Sequence, residues 1–182
     1  MGLAEKGIKL AARIAWGITG AGHFLKEVAQ LLAPIPDVDL FVSRSGEEVV
    51  KMYGLEGVFL GASRKIFYDR AASAPAITKL YLGYYRLAVV APATSNSVAK
   101  FVNGISDGLV SNLFAYAGKA KVPILVLPTD VAPAVSSAAP GRMIQVYPRL
   151  VDLENVKRLE AFAGVSVVKD VESLKLCLNT YL

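Results

Sequence analysis

The chain has 182 residues, of which 54% are hydrophobic and 19% are charged, and this length suits one domain over residues 1–182. Its single cysteine and single histidine exclude an intrachain disulfide, and they supply too few ligands for an iron–sulfur cluster or a multi-histidine zinc site. The net charge of +5 comes from scattered basic residues, which argues against nucleic acid, and the apolar runs are strand-sized, well below the ~18 residues of a membrane span.

Short apolar runs alternate along the chain with segments of helical periodicity. Strands are predicted, in chain order, at Arg13–Trp16, Asp39–Val42, Leu87–Ala91, Val122–Leu127 and Val165–Val168. Helices are predicted at Phe24–Leu32, Gly46–Tyr53, Ser97–Asn103, Asp107–Ala117, Leu153–Ala163 and Val171–Leu178. Continuously apolar strands that alternate with helices predict an α/β fold, a three-layer, doubly wound, mostly parallel sheet. Two stretches, Gly54–Lys79 and Ala132–Arg142, lack periodicity and are expected to be long loops of functional importance.

In such a fold, ligands bind outside the carboxyl ends of the strands. The first strand is followed by Gly17-Ile18-Thr19-Gly20-Ala21-Gly22, whose glycines allow a ligand to approach the backbone at a helix N-terminus. The spacing differs from the dinucleotide fingerprint G-x-G-x-x-G, and no acidic residue closes the second strand. A tight strand-to-helix turn explains the same glycines, so both interpretations stay open.

The second strand is followed by Ser43-Arg44-Ser45, which offers hydroxyl and guanidinium groups to a phosphate. Ser45 and Glu48 also have the spacing of a capping box, and capping is compatible with anion binding at the same helix end. We interpret His23, at the start of a helix, as a local hydrogen-bonding residue rather than a catalytic base.

The later strands also end in polar residues. The segment PATSNSVAKFVNGISDGLVSN follows the strand Leu87–Ala91, and Pro128-Thr129-Asp130 follows the next one. The position of the first segment at a strand end predicts that it faces a ligand. No Ser/His/Asp set and no pair of carboxylates stands out, and the spacing of Asp107 and Asp130 does not show whether they meet.

These motifs resemble the homo-oligomeric flavin-containing decarboxylase superfamily of flavoproteins over about residues 12–168. The resemblance rests on GITGAG, on Ser43 and on the pattern P-A-T-S-N-x-x-x-K-x-x-x-G-x-x-D at Pro92–Asp107. It implies FMN as the cofactor, and a homo-oligomer that is a trimer or an assembly of trimers. The cofactor-binding residues that it implies are Gly17, Thr19, Gly20, Ala21, Gly22, Ser43, Ser45, Pro92, Ala93, Thr94, Ser95, Asn96, Lys100, Asp107, Thr129 and Asp130.

Within the superfamily, IAWGITGAGH, SGEEVVKMYGL and APATSNSVAK are similar to an archaeal branch that passes electrons through FMN. That branch comprises the archaeoflavoproteins and the flavin domain of the acceptor-dependent dihydromethanopterin reductases. The cysteine decarboxylases have a histidine where Thr78 stands here, and the prenyltransferases have Arg-Glu-Thr-Pro near Pro128-Thr129-Asp130. Decarboxylation is therefore not expected.

The resemblance thus predicts a cytoplasmic FMN protein that accepts electrons from a redox protein such as ferredoxin and passes them to another redox protein or small acceptor. Two alternatives stay open: a transferase of the flavin prenyltransferase kind, and a flavin-binding subunit without redox activity of its own.

Overall fold

The computed structural model describes residues 13–59, 64–70 and 75–182, which form a parallel sheet covered by helices on both faces. The strands are β1 (Arg13–Ile18), β2 (Val38–Val42), β3 (Lys65–Tyr68), β4 (Tyr85–Ala93), β5 (Ile124–Pro128), β6 (Val135–Ala139), β7 (Arg142–Val146) and β8 (Val165–Val167). The helices are α1 (Leu25–Leu32), α2 (Arg44–Met52), α3 (Glu56–Phe59), α4 (Pro75–Thr78), α5 (Ser95–Val102), α6 (Leu109–Lys119), α7 (Leu150–Glu160) and α8 (Val171–Asn179).

The main sheet has the strand order β3-β2-β1-β4-β5-β8, and every neighbouring pair in it is parallel. The predicted fold class is therefore confirmed. The chain winds outward from β1 in one direction and from β4 in the other, so the crevice between these two strands is the switch point at which such folds bind ligands.

Two apolar layers hold the helices on the sheet. Alternate residues of β4 point to opposite faces: Val89 packs in the layer under α1 and α8, and Val90 packs in the layer under α5 and α6. Both side chains are fully buried. This double coverage explains why the central strands are apolar at every position rather than at every second one. No helix in the described part of the chain has the length and apolarity to cross a membrane.

The two stretches that lack periodicity were predicted to be loops, but both contain regular secondary structure. Residues 54–79 contain α3, α4 and the edge strand β3, and residues 132–142 contain β6 and the first residue of β7, which pairs with β6 in an antiparallel hairpin. Strand β3 has only four residues, and its two end residues are exposed. Most of β7 is exposed as well. Strands with so little buried surface have no clear apolar pattern, so the sequence did not reveal them.

Three predicted boundaries near the strand ends were wrong. Strand β1 extends through Gly17 and Ile18, and β4 extends through Pro92 and Ala93, so these residues belong to the sheet rather than to the loops that follow. The cap of α2 is Ser43, whose Oγ accepts a hydrogen bond from the Gly46 N–H at 3.0 Å. The predicted capping box of Ser45 and Glu48 is therefore not formed, because Ser45 already lies inside the helix.

Candidate functional site

A cleft of about 370 Å³ opens at the carboxyl ends of the strands. It is bounded by the start of α2 on one side and by the starts of α5 and α6 on the other. Its lining residues are mostly polar, namely Ser43, Arg44, Ser45, Asp69, Thr94, Asn96, Ser97, Lys100 and residues 107–111. Six of the sixteen predicted cofactor-binding residues line this cleft: Ser43, Ser45, Thr94, Asn96, Lys100 and Asp107.

The first turn of α2 presents hydrogen-bond donors to the cleft. Ser43 is in an extended conformation with φ −67° and ψ 161°, and it caps the helix through Gly46. The N–H groups of Arg44 and Ser45 have no hydrogen-bond partner among the described residues. A helix N-terminus with unpaired N–H groups and a positive dipole end favours an anion.

The first turn of α5 repeats this arrangement. Thr94 caps the helix, and its Oγ1 accepts a hydrogen bond from the Ser97 N–H at 3.2 Å. In the described part of the chain, the N–H groups of Ser95 and Asn96 are likewise unpaired. Two helices from opposite halves of the sheet therefore point their N-termini at one cleft, which makes it suitable for a phosphate group.

Charged side chains complete the cleft. The Lys100 Nζ lies 2.8 Å and 2.9 Å from the two carboxylate oxygens of Asp107. The hydrogen bond from Lys100 holds the pKa of Asp107 below its usual value, so this carboxyl is ionised at neutral pH. The Ser111 Oγ donates to the Asp107 Oδ1 at 3.3 Å and accepts from the Gly108 N–H at 2.9 Å. Asp107 is thereby tied to the start of α6.

The loop after β1 is packed tightly against α2. A Cβ atom on Gly20 would lie 2.7 Å from Ser45 Cβ, and one on Gly46 would lie 2.7 Å from the Ile18 carbonyl oxygen. Gly22 similarly faces the Tyr53 hydroxyl, and Ala21 is buried. These contacts require glycine because any side chain would separate the loop from the helix, and they fix the wall of the cleft beside Ser43 and Ser45.

Thr19 connects the ends of β1 and β4. Its side chain is 2% exposed, its Oγ1 donates to the Pro92 carbonyl at 2.8 Å, and the same atom accepts from the Thr94 N–H at 3.0 Å. One hydroxyl thus forms hydrogen bonds with two backbone groups at the end of β4. Thr19 positions the cap of α5 rather than lining the cleft itself.

The remaining predicted residues lie away from the cleft lining. Gly17, Pro92 and Ala93 are in the sheet, and the missing side chain of Gly17 faces Val110 of α6. On the other side of α5, Ser95 donates a hydrogen bond to Asp130, and Thr129 Oγ1 donates to the same carboxylate at 3.2 Å.

The His23 ring contacts the Phe24 ring in a tilted arrangement, with centroids 3.8 Å apart and an interplanar angle of 40°. Burial lowers the pKa of its imidazole, which is therefore neutral at pH 7. Among the described residues, no group of three or more histidine, cysteine or acidic side chains is arranged to hold a metal ion.

Asp69 was not found from the sequence, because it follows the unpredicted strand β3. Residues 108–111 lie in the segment that was predicted to face a ligand but were not named individually, and they enter the cleft because α6 packs beside α5. Ser97 directly follows the PATSN motif and is hydrogen-bonded to Thr94 at 3.0 Å, so its position three residues after the cap could have indicated its role.

Comparisons with known proteins identify the family of the chain. The Flavoprotein family model matches residues 4–180. An uncharacterized protein of Methanocaldococcus jannaschii is 39% identical over 171 residues, which cover 90% of this chain and 92% of the relative.

The dihydromethanopterin reductase (acceptor) of the same organism is 44% identical over 131 residues, which cover 65% of this chain and 53% of the reductase. The chain therefore spans about half the length of that enzyme.

Among solved structures, DmrB of Burkholderia xenovorans in complex with FMN, described as a cubic protein cage for redox transfer, has a TM-score of 0.86 and 40% identity. The alignment covers 96% of this chain and 97% of DmrB. Because the family model covers nearly the whole sequence and the fold agrees with this relative, the chain belongs to the Flavoprotein family, as the sequence motifs predicted.

Proposed function

We propose that this protein binds FMN in the cleft between α2, α5 and α6 and uses it to carry electrons. The observation that carries the proposal is the convergence of two helix N-termini on one cleft. Four unpaired backbone N–H groups, of Arg44, Ser45, Ser95 and Asn96, lie in these two first turns. Backbone N–H groups at helix starts are the usual ligands of a phosphate monoester.

The residues of the cleft fit FMN chemically. Hydroxyl groups of Ser43, Ser45 and Ser97 and the side chain of Arg44 are further donors to phosphate oxygens. The volume of about 370 Å³ lies in the range of small-molecule sites. A bound flavin supplies the one- and two-electron chemistry itself, so the protein needs to bind and orient it without a catalytic dyad.

The relatives support a redox role. The structure of DmrB was solved with FMN. The M. jannaschii relative that is 44% identical is named a dihydromethanopterin reductase, and such a reaction requires an electron-carrying group. Since this chain spans only about half of that reductase, we propose the electron-carrying step alone, with a redox protein or a small molecule as the acceptor.

We further propose that ferredoxin, or a similar acidic redox protein, is the electron donor. The net charge of +5 favours encounter with an acidic partner, and such attraction weakens as salt is added.

We also propose a homo-oligomer. Exposed apolar side chains at Met143, Tyr147 and Leu150, which are 64%, 73% and 71% exposed, support burial against another copy.

Absorbance and light scattering test the proposal. The protein purified and incubated with FMN should retain a yellow chromophore after gel filtration, and its mass by light scattering should be a multiple of 19.4 kDa. Protein that stays colourless would refute FMN binding.

Anaerobic stopped-flow mixing with reduced ferredoxin should then bleach the flavin quickly, and more slowly as salt rises. If NAD(P)H bleaches the flavin and ferredoxin does not, NAD(P)H is the donor and the ferredoxin proposal is refuted. If no donor bleaches the flavin, a flavin-binding subunit without redox activity is favoured.

A further inference from the structure

Asp69 is a carboxylate of the cleft that has no partner among the described residues. It lies directly after β3, is half-buried, and lines the cleft with the hydroxyl groups and helix starts described above. Among the described residues, its carboxylate has no hydrogen-bond or ion-pair partner. The nearest cation in sequence, Arg70, is instead bound to Glu47 at 2.8 Å.

The second carboxylate of the cleft is different in this respect. Asp107 is bound by both Lys100 and Ser111, so its charge is largely compensated. The cleft therefore combines a region suited to anions, made by the starts of α2 and α5, with one acidic side chain that forms no ion pair within residues 13–59, 64–70 and 75–182.

The start of α6 gives Asp69 a partial structural explanation. A Cβ atom on Gly108 would lie 3.0 Å from the Asp69 Oδ2, so the carboxylate sits beside the cap residue of α6, where the helix dipole stabilises a negative charge. This contact explains why the charge is tolerated. It does not explain why a carboxylate lines a cleft that is otherwise suited to anions.

A carboxylate in such a position has two effects on a ligand. It accepts hydrogen bonds from hydroxyl groups of a sugar or sugar alcohol, and it repels a further phosphate. Acidic residues near a strand end of dinucleotide-binding folds discriminate in this way between a ribose hydroxyl and a ribose phosphate.

We propose that Asp69 is a specificity residue that limits the cleft to flavins with a single phosphate. This inference rests on the proposed function. The starts of α2 and α5 bind one phosphate, while Asp69 accepts hydrogen bonds from ribityl hydroxyl groups and repels the second phosphate of FAD. FMN is thereby bound in preference to FAD.

Fluorescence titration of the flavin-free protein with FMN and with FAD tests the inference. The measured quantity is the ratio of the Kd of FAD to the Kd of FMN. In Asp69→Asn, which keeps the shape of the side chain and removes its charge, this ratio should fall about tenfold, since repulsion between charges a few ångströms apart is of that order. Asp69→Glu keeps the charge and should keep the ratio within about threefold of the wild-type value.

Glu154→Gln is the matched control, because Glu154 is an exposed carboxylate of α7 outside the cleft and its loss changes the net charge equally. If Asp69→Asn does not fold by circular dichroism, Asp69→Ser replaces it as the neutral variant. Either of two results would overturn the inference: a wild type that binds FAD as tightly as FMN, or a neutral variant whose ratio matches that of the wild type or of Glu154→Gln. A wild type that binds neither flavin refutes the proposed function itself.

Discussion

Replacing Thr19 by valine tests whether the cleft depends on the connection between β1 and β4. Valine has nearly the same shape as threonine but cannot bond to the Pro92 carbonyl or the Thr94 N–H, which the Thr19 hydroxyl contacts at 2.8 Å and 3.0 Å. Leaving a buried backbone group without a partner costs about 1–3 kcal/mol. The carbonyl is buried and the N–H is only partly buried, so we expect a loss of about 2–3 kcal/mol in the free energy of unfolding.

Thr19→Ser is the control, because it keeps the hydroxyl and removes one methyl group, which is worth about 1 kcal/mol. Urea denaturation of both flavin-free variants gives the two free energies, with equal m values indicating an unchanged unfolding transition. We expect valine to be less stable than serine by at least about 1 kcal/mol, and to bind FMN more weakly because the cap of α5 is released. Equal stability of the two variants would refute the reasoning, since the hydroxyl would then contribute nothing.

Three further predictions concern other named contacts. Ser43→Ala should lower the free energy of unfolding by about 1 kcal/mol through loss of the α2 cap, and it should weaken FMN binding in a fluorescence titration. Burial and the hydrogen bond to Asp39 raise the pKa of Tyr85, so the wild type should lose stability as the pH rises above about 10. Tyr85→Phe should show a shallower loss in urea melts over that range.

The hydrogen bond from Arg149 lowers the pKa of Asp152, so its contribution is complete above about pH 4 and is lost as the pH falls. Asp152→Asn should therefore flatten the acid limb of stability against pH. An unchanged acid limb would contradict the assignment.

The central part of the fold was predictable because burial dictates its sequence. Strands β1, β2, β4 and β5 are covered on both faces, and each contains an apolar run that stands out from its neighbours, interrupted in β2 only by Asp39. The edge strand β3 and the hairpin of β6 and β7 are half exposed, so many of their residues contact water as well as a neighbouring strand. Periodicity carries little information about such strands, and long-range pairing decides their formation.

The candidate site was predictable to the extent that its residues follow a buried strand. Ser43 and Thr94 stand directly after apolar runs, and both are the caps through which the helices present their N–H groups. Asp69 stands after a strand of only four residues, none of them fully buried, which is too short to be recognised from its apolar pattern. The contacts of Thr19 could not be predicted for another reason: its partners lie 73 and 75 residues away, and only the pairing of β1 with β4 brings them together.

The donors of the cleft belong partly to the backbone and partly to side chains, and this determines how the site responds to substitutions. The four unpaired N–H groups cannot be removed by changing their side chains, so loss of one hydroxyl weakens a phosphate contact but leaves most donors in place. Their direction depends instead on the caps and on the close packing of Gly20 and Gly46, where an added Cβ would meet atoms 2.7 Å away. Side chains outside the cleft lining, such as Thr19, therefore control the geometry of the cleft, whereas lining side chains such as the half-buried Asp69 are the ones we propose to control which ligand it accepts.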